Sequence, residues 1–370
     1  MGGGRGWGAA LLALALVAAC AGSAAPRATG GAGEPAAGAA GASAGAAGAG
    51  AGNPPGASGG QAPAPLPKAT VSYSSISGTF LPVWIAVDQG LFAQHGLDVD
   101  ITYIAGGTTS MQSLIAGDVQ YIVSSGAEPA AAYLAGAPVR IVMGWYHGMS
   151  ALFMADPSIT SLEQLRGKPI GITRFGGQPH VAVRLALKQW GLDPDHDMQY
   201  LQLGGTPEIL AAMQQGTVVG GAFAPPTNVQ AQRLGFRVLG DLTQMGVPYQ
   251  AGVLSGMQPY LEANPEAARR FVQGMLDGIK VSLTDDATTY AVLAKYTRTD
   301  NPDLLNTTID HYRSVARRAP YPSPEGLQTI LDDLAESDPR AHTLRPEELL
   351  NITALEQLDH EGYLKQLYGE

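Results

Sequence analysis

The stretch TVSYSSISGTFLPVWIAVDQGLFAQHGLDVDITYIAGG, residues 70–107, changes its hydrophobic period twice. Thr70 to Ser75 alternates like a half-buried strand, Pro82 to His95 carries apolar residues at helical spacing, and Leu97 to Ile104 returns to a strand. Pro82 stands where a first-turn proline is harmless, and Gly96 where a left-handed C-cap is wanted. Strand, helix and strand in that order make a βαβ unit, so the chain builds a parallel sheet covered by helices.

Outward from this unit the alternation continues. Thr109 to Ala116 reads as a helix, Tyr121 to Ser124 as a strand, Glu128 to Ala135 as a helix and Val139 to Gly144 as a strand. A second block repeats the logic. It holds a short helix from Ser161 to Arg166, strands at Pro169 to Thr173, Met198 to Leu203, Gly220 to Ala224 and Phe236 to Leu239, and helices at His180 to Trp190, Pro207 to Gln215 and Thr227 to Leu234. Ala151 to Ala155 and Gln250 to Ser255 flank that block as extended apolar segments, each expected to pass between lobes as part of a hinge. Four helices follow, Pro265 to Leu283, Asp285 to Tyr296, Pro302 to Arg318 and Pro324 to Ala335, each opening near a proline or a capping residue. The expected division is lobe 1 over 68–155, lobe 2 over 156–249, and a return crossing with C-terminal helices over 250–370 that pack on lobe 1.

The amino-terminal part is of another kind. Residues 21–67 hold 18 Ala, 13 Gly and 7 Pro, with Arg27 and Glu34 as their charges, so they lack the bulky apolar side chains that offset chain entropy. They read as a disordered linker with a root-mean-square span of roughly 40 Å. Ahead of it, Ala9 to Ala19 is an apolar run after Arg5, too short for a ~30 Å hydrocarbon layer but suited to an export signal over 1–20. Leu16-Val17-Ala18-Ala19-Cys20 resembles the bacterial lipobox, which makes Cys20 the expected lipidated residue and the link to a membrane. With 1 Cys in the chain no intrachain disulfide can form. A net charge of -10 disfavours a nucleic-acid partner.

Several segments carry a family resemblance. Phe80-Leu81-Pro82-Val83-Trp84-Ile85-Ala86-Val87-Asp88-Gln89-Gly90-Leu91-Phe92, His95-Gly96-Leu97-Asp98-Val99, Ala105-Gly106-Gly107-Thr108 and Gly136-Ala137-Pro138-Val139 resemble the substrate-binding proteins of nitrate/sulfonate/taurine-type ABC importers and their thiamine-pyrimidine relatives. Gly167-Lys168-Pro169-Ile170-Gly171-Ile172-Thr173-Arg174-Phe175-Gly176 and Leu203-Gly204-Gly205-Thr206-Pro207 are similar to the same family. The resemblance implies an α/β, two-lobed periplasmic-binding-protein fold of type II, with a mainly parallel sheet flanked by helices in each lobe and two hinge crossings. It also implies a monomeric, lipid-anchored receptor that captures a small solute by cleft closure and delivers it to a permease and its ATPase. The solute classes it leaves open are sulfonate- or nitrate-type anions, aromatic acids and pyrimidines. A ligand-gated sensor or docking lipoprotein would use the same cleft without transport.

In open α/β sheets a ligand lies beyond the carboxyl ends of the strands, at helix N-termini. The expected ligand contacts in lobe 1 are therefore Ser75, Ser77, Gly78, Thr79, Phe80, Leu81, Gly107, Thr108, Ser124, Ser125, Gly126, Glu128 and Trp145. Those of lobe 2 are Arg174, Phe175, Gly176, Gln178, Gly205 and Pro225. Ser125 to Glu128 also has capping-box spacing, so Glu128 either folds back on Ser125 or offers a carboxylate to amine or amidine donors. Arg174 would pair with an anionic headgroup or bridge the lobes.

Enzyme readings lack support. The 7 histidines are scattered without metal-ligand spacing, and no nucleophile elbow, Walker loop or dinucleotide fingerprint occurs. A cysteine-rich motif serves a relative that synthesises the thiamine pyrimidine, and a chain with Cys20 alone does not carry it. No metal and no cofactor are expected.

Overall fold

The computed structural model describes residues 66–149 and 151–369; Cys20, the export signal and nearly all of the linker lie outside the described residues. Four strands come first: β1 (Lys68–Tyr73), β2 (Asp98–Tyr103), β3 (Tyr121–Ser124) and β4 (Val139–His147). The chain then crosses to β5 (Leu152–Ala155), β6 (Pro169–Ile172), β7 (Gln199–Gln202), β8 (Gly220–Phe223) and β9 (Arg237–Asp241), and returns through β10 (Gln250–Met257). The two sheets have the orders β2-β1-β3-β10-β4 and β7-β6-β8-β5-β9.

Those orders share one plan. In each lobe three neighbouring strands run parallel, and the fourth place is filled by the strand that has just crossed from the other lobe, antiparallel to both neighbours. The sheets are thus mixed, each with one reversed strand in an otherwise parallel set. The two crossings run side by side: Gly148 N–H donates to the Tyr249 carbonyl at 2.7 Å, and Leu242 N–H to the Ala151 carbonyl at 2.9 Å.

Helices cover both sheets. Lobe 1 carries α1 (Leu81–Asp88), α2 (Leu91–Gln94), α3 (Gly107–Ala116) and α4 (Ala127–Leu134), and lobe 2 carries α5 (Gln178–Gln189), α6 (Thr206–Gln214) and α7 (Thr227–Arg233). After β10 come α8 (Gln258–Ala263), α9 (Pro265–Thr284), α10 (Asp286–Thr297), α11 (Pro302–Val315), α12 (Pro324–Ala335), α13 (Thr353–His360) and α14 (Tyr363–Tyr368). Several of these dock on lobe 1 through aromatic rings. Trp84 of α1 stacks on Tyr296 of α10 with centroids 4.8 Å apart, and Phe92 of α2 meets Phe271 of α9 at 4.6 Å. Such pairs add to the apolar burial itself.

Three expectations need correction. The helix read over Pro82 to His95 is two helices, because Gly90 takes a left-handed φ of 63° and turns the chain between α1 and α2. The strand read as ending at Gly144 runs on to His147, since a C-terminal segment pairs with its edge: Gly144 N–H donates to Pro320 O at 2.8 Å and Arg317 N–H to Trp145 O at 2.8 Å. That same pairing, with Ala316 bridged to Tyr146, ends α11 at Val315 rather than at Arg318.

Candidate ligand-binding cleft

The lobes face each other with the carboxyl ends of their parallel strands, and a cavity of about 50 Å³ remains between them. Hydrogen bonds run from lobe to lobe around it, from Gln178 N–H to Glu128 and from Thr108 Oγ1 to the Phe175 carbonyl, so the lobes here are closed on each other. From lobe 1 the lining comes from Ser74, Ser75, Ile76, Ser77, Thr79 and Phe80 after β1, Gly106 and Gly107 after β2, Ser125 and Glu128 after β3, and Tyr146 of β4. From lobe 2 it comes from Thr173, Gln178, Pro179 and Ala182 after β6, Thr206 after β7, and Ala222 and Ala224 around the end of β8, with Ala151 at the crossing.

Glu128 is the lining residue with a carboxyl group, and it is 5% exposed. Its Oε2 accepts from the Ser125 main-chain N–H at 3.1 Å and from the Ser125 hydroxyl at 2.5 Å. Its Oε1 accepts from the main-chain N–H of Gln178, across the cleft, at 3.3 Å. Ser125 Oγ in turn accepts from Ala127 N–H at 3.2 Å, and the Tyr249 hydroxyl lies 3.2 Å from it. The carboxylate thus folds back on Ser125 and at the same time lines the cavity.

Burial pushes the Glu128 carboxyl pKa up, while the hydrogen bonds from Ser125, from its own main-chain N–H and from Gln178 work the other way. Because main-chain N–H groups can only donate, this setting complements an accepting carboxylate. The N-terminal ends of α4 and α5 both face that carboxylate, a placement worth roughly 0.3–1 kcal/mol each. In its ionised form it would repel a second anion about 5 Å away by about 3 kcal/mol at an effective dielectric of ~20. Among the described residues that line the cavity there is no Lys, Arg or His side chain.

Opposite Glu128, Thr173 and Thr206 are 3% and 7% exposed, and their Oγ1 atoms have no hydrogen-bond partner among the described residues. Two buried hydroxyls in a cavity wall without partners are groups for a solute to satisfy.

Charged groups hold the lobes together farther out. Arg184 of α5 bonds Asp333 of α12 at 3.3 Å and Glu336 at 3.2 Å, and it also pairs with Asp195 of its own lobe. Lys188 reaches Asp333 and Glu336 at 2.7 Å each. Thr108 Oγ1 donates to the Phe175 carbonyl at 3.1 Å across the mouth.

The sequence model of the NMT1/THI5-like family matches residues 77–288, more than half of the chain. The chain belongs to this NMT1/THI5-like family. Among its relatives, YtlA of Bacillus subtilis (strain 168), which carries the name of a binding protein, is 26% identical over 73% of this chain and 84% of its own length. Solved structures agree on the fold. A protein from Bordetella bronchiseptica RB50 superposes with a TM-score of 0.70 at 20% identity, covering 82% of this chain and 98% of that one. The alkanesulfonate-binding protein SsuA from Xanthomonas axonopodis pv. citri, bound to MOPS, gives 0.63 at 18% identity, covering 78% and 97%. At these identities the likeness establishes the two-lobed α/β architecture of a periplasmic binding protein.

The structure gathers part of the sequence-derived set in this NMT1/THI5-like cleft. Ser75, Ser77, Thr79, Phe80, Gly107, Ser125, Glu128 and Gln178 line the cavity. Gly78 and Pro225 border a smaller adjoining recess with Thr308 and Tyr312. Arg174 lies outside the lining, its stem packed across the cleft against Gly106. Phe175 is 50% exposed, and Gly176 N–H donates to His180 Nδ1 at 3.1 Å. Gly205 sits against Glu208 and Tyr103, and Thr108 makes the bond to Phe175 described above.

Others are packing residues. Trp145 was expected on the cleft wall, yet it is wholly buried in β4, with its indole N–H donating to Thr79 O at 3.1 Å. Leu81 is wholly buried in α1. Ser124 donates to the Ser125 carbonyl, and Gly126 packs on Leu327 and Ile330 of α12. Sequence reasoning passed over Ser74, Thr173 and Ala224, which stand at strand ends just ahead of the turns it selected, and Ala182, one helical turn behind Gln178. Extending each turn by one residue toward its strand would have found the first three.

Proposed function

We propose that this chain is the solute receptor of an ABC importer, held at the outer face of a membrane by a lipid on Cys20. The observation that carries the reading is a cavity built jointly by the strand ends of two lobes that are joined by two short crossings. A solute enters while the lobes are apart, rests on lobe 1, and gains the lobe 2 contacts only on closure. Closure is therefore driven by the solute's higher affinity for the closed form. Shifting such an equilibrium from 1:99 to 99:1 takes about 5.5 kcal/mol, and a micromolar solute brings about −8 kcal/mol of binding free energy. The closed receptor then presents its solute to a permease and ATPase. Family membership and the binding-protein fold support this.

The test is a thermal-shift screen of sulfonates, nitrate, aromatic acids, pyrimidines and amines on the purified chain, followed by small-angle scattering of each hit. A hit should raise the melting temperature and reduce the radius of gyration. Uptake into proteoliposomes holding the cognate permease separates transport from sensing: binding and closure with no uptake would favour a sensor.

A further inference from the structure

The lining of the cleft bears on the chemistry of its solute. A carboxylate has about four acceptor sites. On Glu128, Oε2 takes two donors from Ser125 and Oε1 takes one from Gln178, the residue's own main-chain N–H acts on the carboxyl as well, and the described lining of the cavity holds no cationic side chain to balance its charge. The α5 N-terminus, where an oxyanion would dock, is already occupied by the protein's own carboxylate. The unpartnered hydroxyls of Thr173 and Thr206 add groups that can accept as well as donate.

We propose that the solute of this cleft carries a cationic amine or amidine nitrogen, which donates to Glu128 from within the cavity while its other polar groups meet Thr173 and Thr206. The proposal rests on the receptor reading and narrows it. Such a nitrogen supplies the positive charge that an ionised, buried Glu128 lacks, whereas nitrate or a simple sulfonate supplies no charge of that sign and no donor. Charge-assisted bonds of this type are short and about twice as strong as neutral ones.

The experiment is isothermal titration of the full chain, purified in detergent, with two sets of probes. The first set is 1,4-diaminobutane, acetamidine and benzamidine; the second is nitrate, methanesulfonate and benzoate. At least one amine or amidine should bind, at least about ten-fold more tightly than every anion. Glu128→Gln, which keeps the shape and removes the charge, should weaken that binding roughly ten-fold or more. An anion that outbinds all three nitrogen probes overturns the proposal, as does an amine whose affinity survives Glu128→Gln, or a wild-type chain that binds no nitrogen probe. Should the variant fail to fold, the ranking of the two sets on the wild-type chain decides alone. Scattering separates this from the receptor reading: an anion that binds and compacts the chain removes only the solute class, while absence of compaction with any probe removes both.

Discussion

A β-carbon on Gly106 would stand 3.1 Å from the carbonyl oxygen of Gly204, so two glycine turns meet main chain to main chain across the cleft. They hold equivalent places, one between β2 and α3 and the other between β7 and α6, in sheets of the same strand order. Each turn continues with a second glycine and a threonine, Gly107-Thr108 and Gly205-Thr206. Bulk at these turns therefore decides how far the lobes can close.

Gly107→Ala is expected to cost solute affinity. Its β-carbon would lie 2.0 Å from Glu128 Oε1, so the carboxylate must leave its bond to Gln178. Overpacking of this sort costs about 1–3 kcal/mol. Calorimetry should register a loss of about ten-fold or more, and unchanged affinity would show that the carboxylate position is immaterial to binding.

Arg184→Ala should loosen the closed form. The guanidinium and Asp333 are both buried, and removing it leaves Asp333 with Lys188 alone. Breaking a buried pair costs on the order of 3 kcal/mol. Scattering of the variant at saturating solute should show a larger radius of gyration than wild type; identical profiles would assign the cluster to folding rather than to closure.

Acid should destabilise the protein through His180. Burial, followed by the nearby Arg184, lowers its pKa from 6.5 to about 4, and its Nδ1 accepts from Gly176 N–H, a bond that protonation removes. Between those values the unfolded chain binds the extra proton, so stability present at neutral pH is lost as pH falls through about 6.5 toward 4, up to roughly 3 kcal/mol. Glu128 acts in the opposite sense, its raised carboxyl favouring the folded state at low pH. Melting curves from pH 7 to 4 for wild type and His180→Gln isolate the histidine. An imidazole that titrates near 6.5 by NMR would refute the effect.

Cys20→Ala should move the protein from the membrane fraction to the soluble fraction of fractionated cells. Retention that still needs detergent for release would discard the lipid anchor.

Local chemistry made much of this fold legible. Tyr121 to Ser124 and Pro324 to Ala335 coincide with their elements to the residue, the first an apolar run and the second a helix opened by Ser323 and Pro324. What stayed hidden was non-local. Trp145 looked like a cleft wall because it follows an apolar run, yet pairing of β4 with residues 316–320, far along the chain, extends the strand and buries the ring. Helices α13 and α14 also went unread. In the site, Glu128 and Gln178 were each legible from turn chemistry, whereas their bond across the cleft depends on how two lobes close.

The reversed strand in each sheet has a mechanical consequence. Because β5 and β10 are clamped between two neighbours as soon as they arrive, each sheet is expected to move as a stiff plate that turns about the crossings between β4 and β5 and between β9 and β10. The travel of the jaws is then set by two adjacent ribbons of chain whose bonds, Gly148 to Tyr249 and Leu242 to Ala151, form the axle.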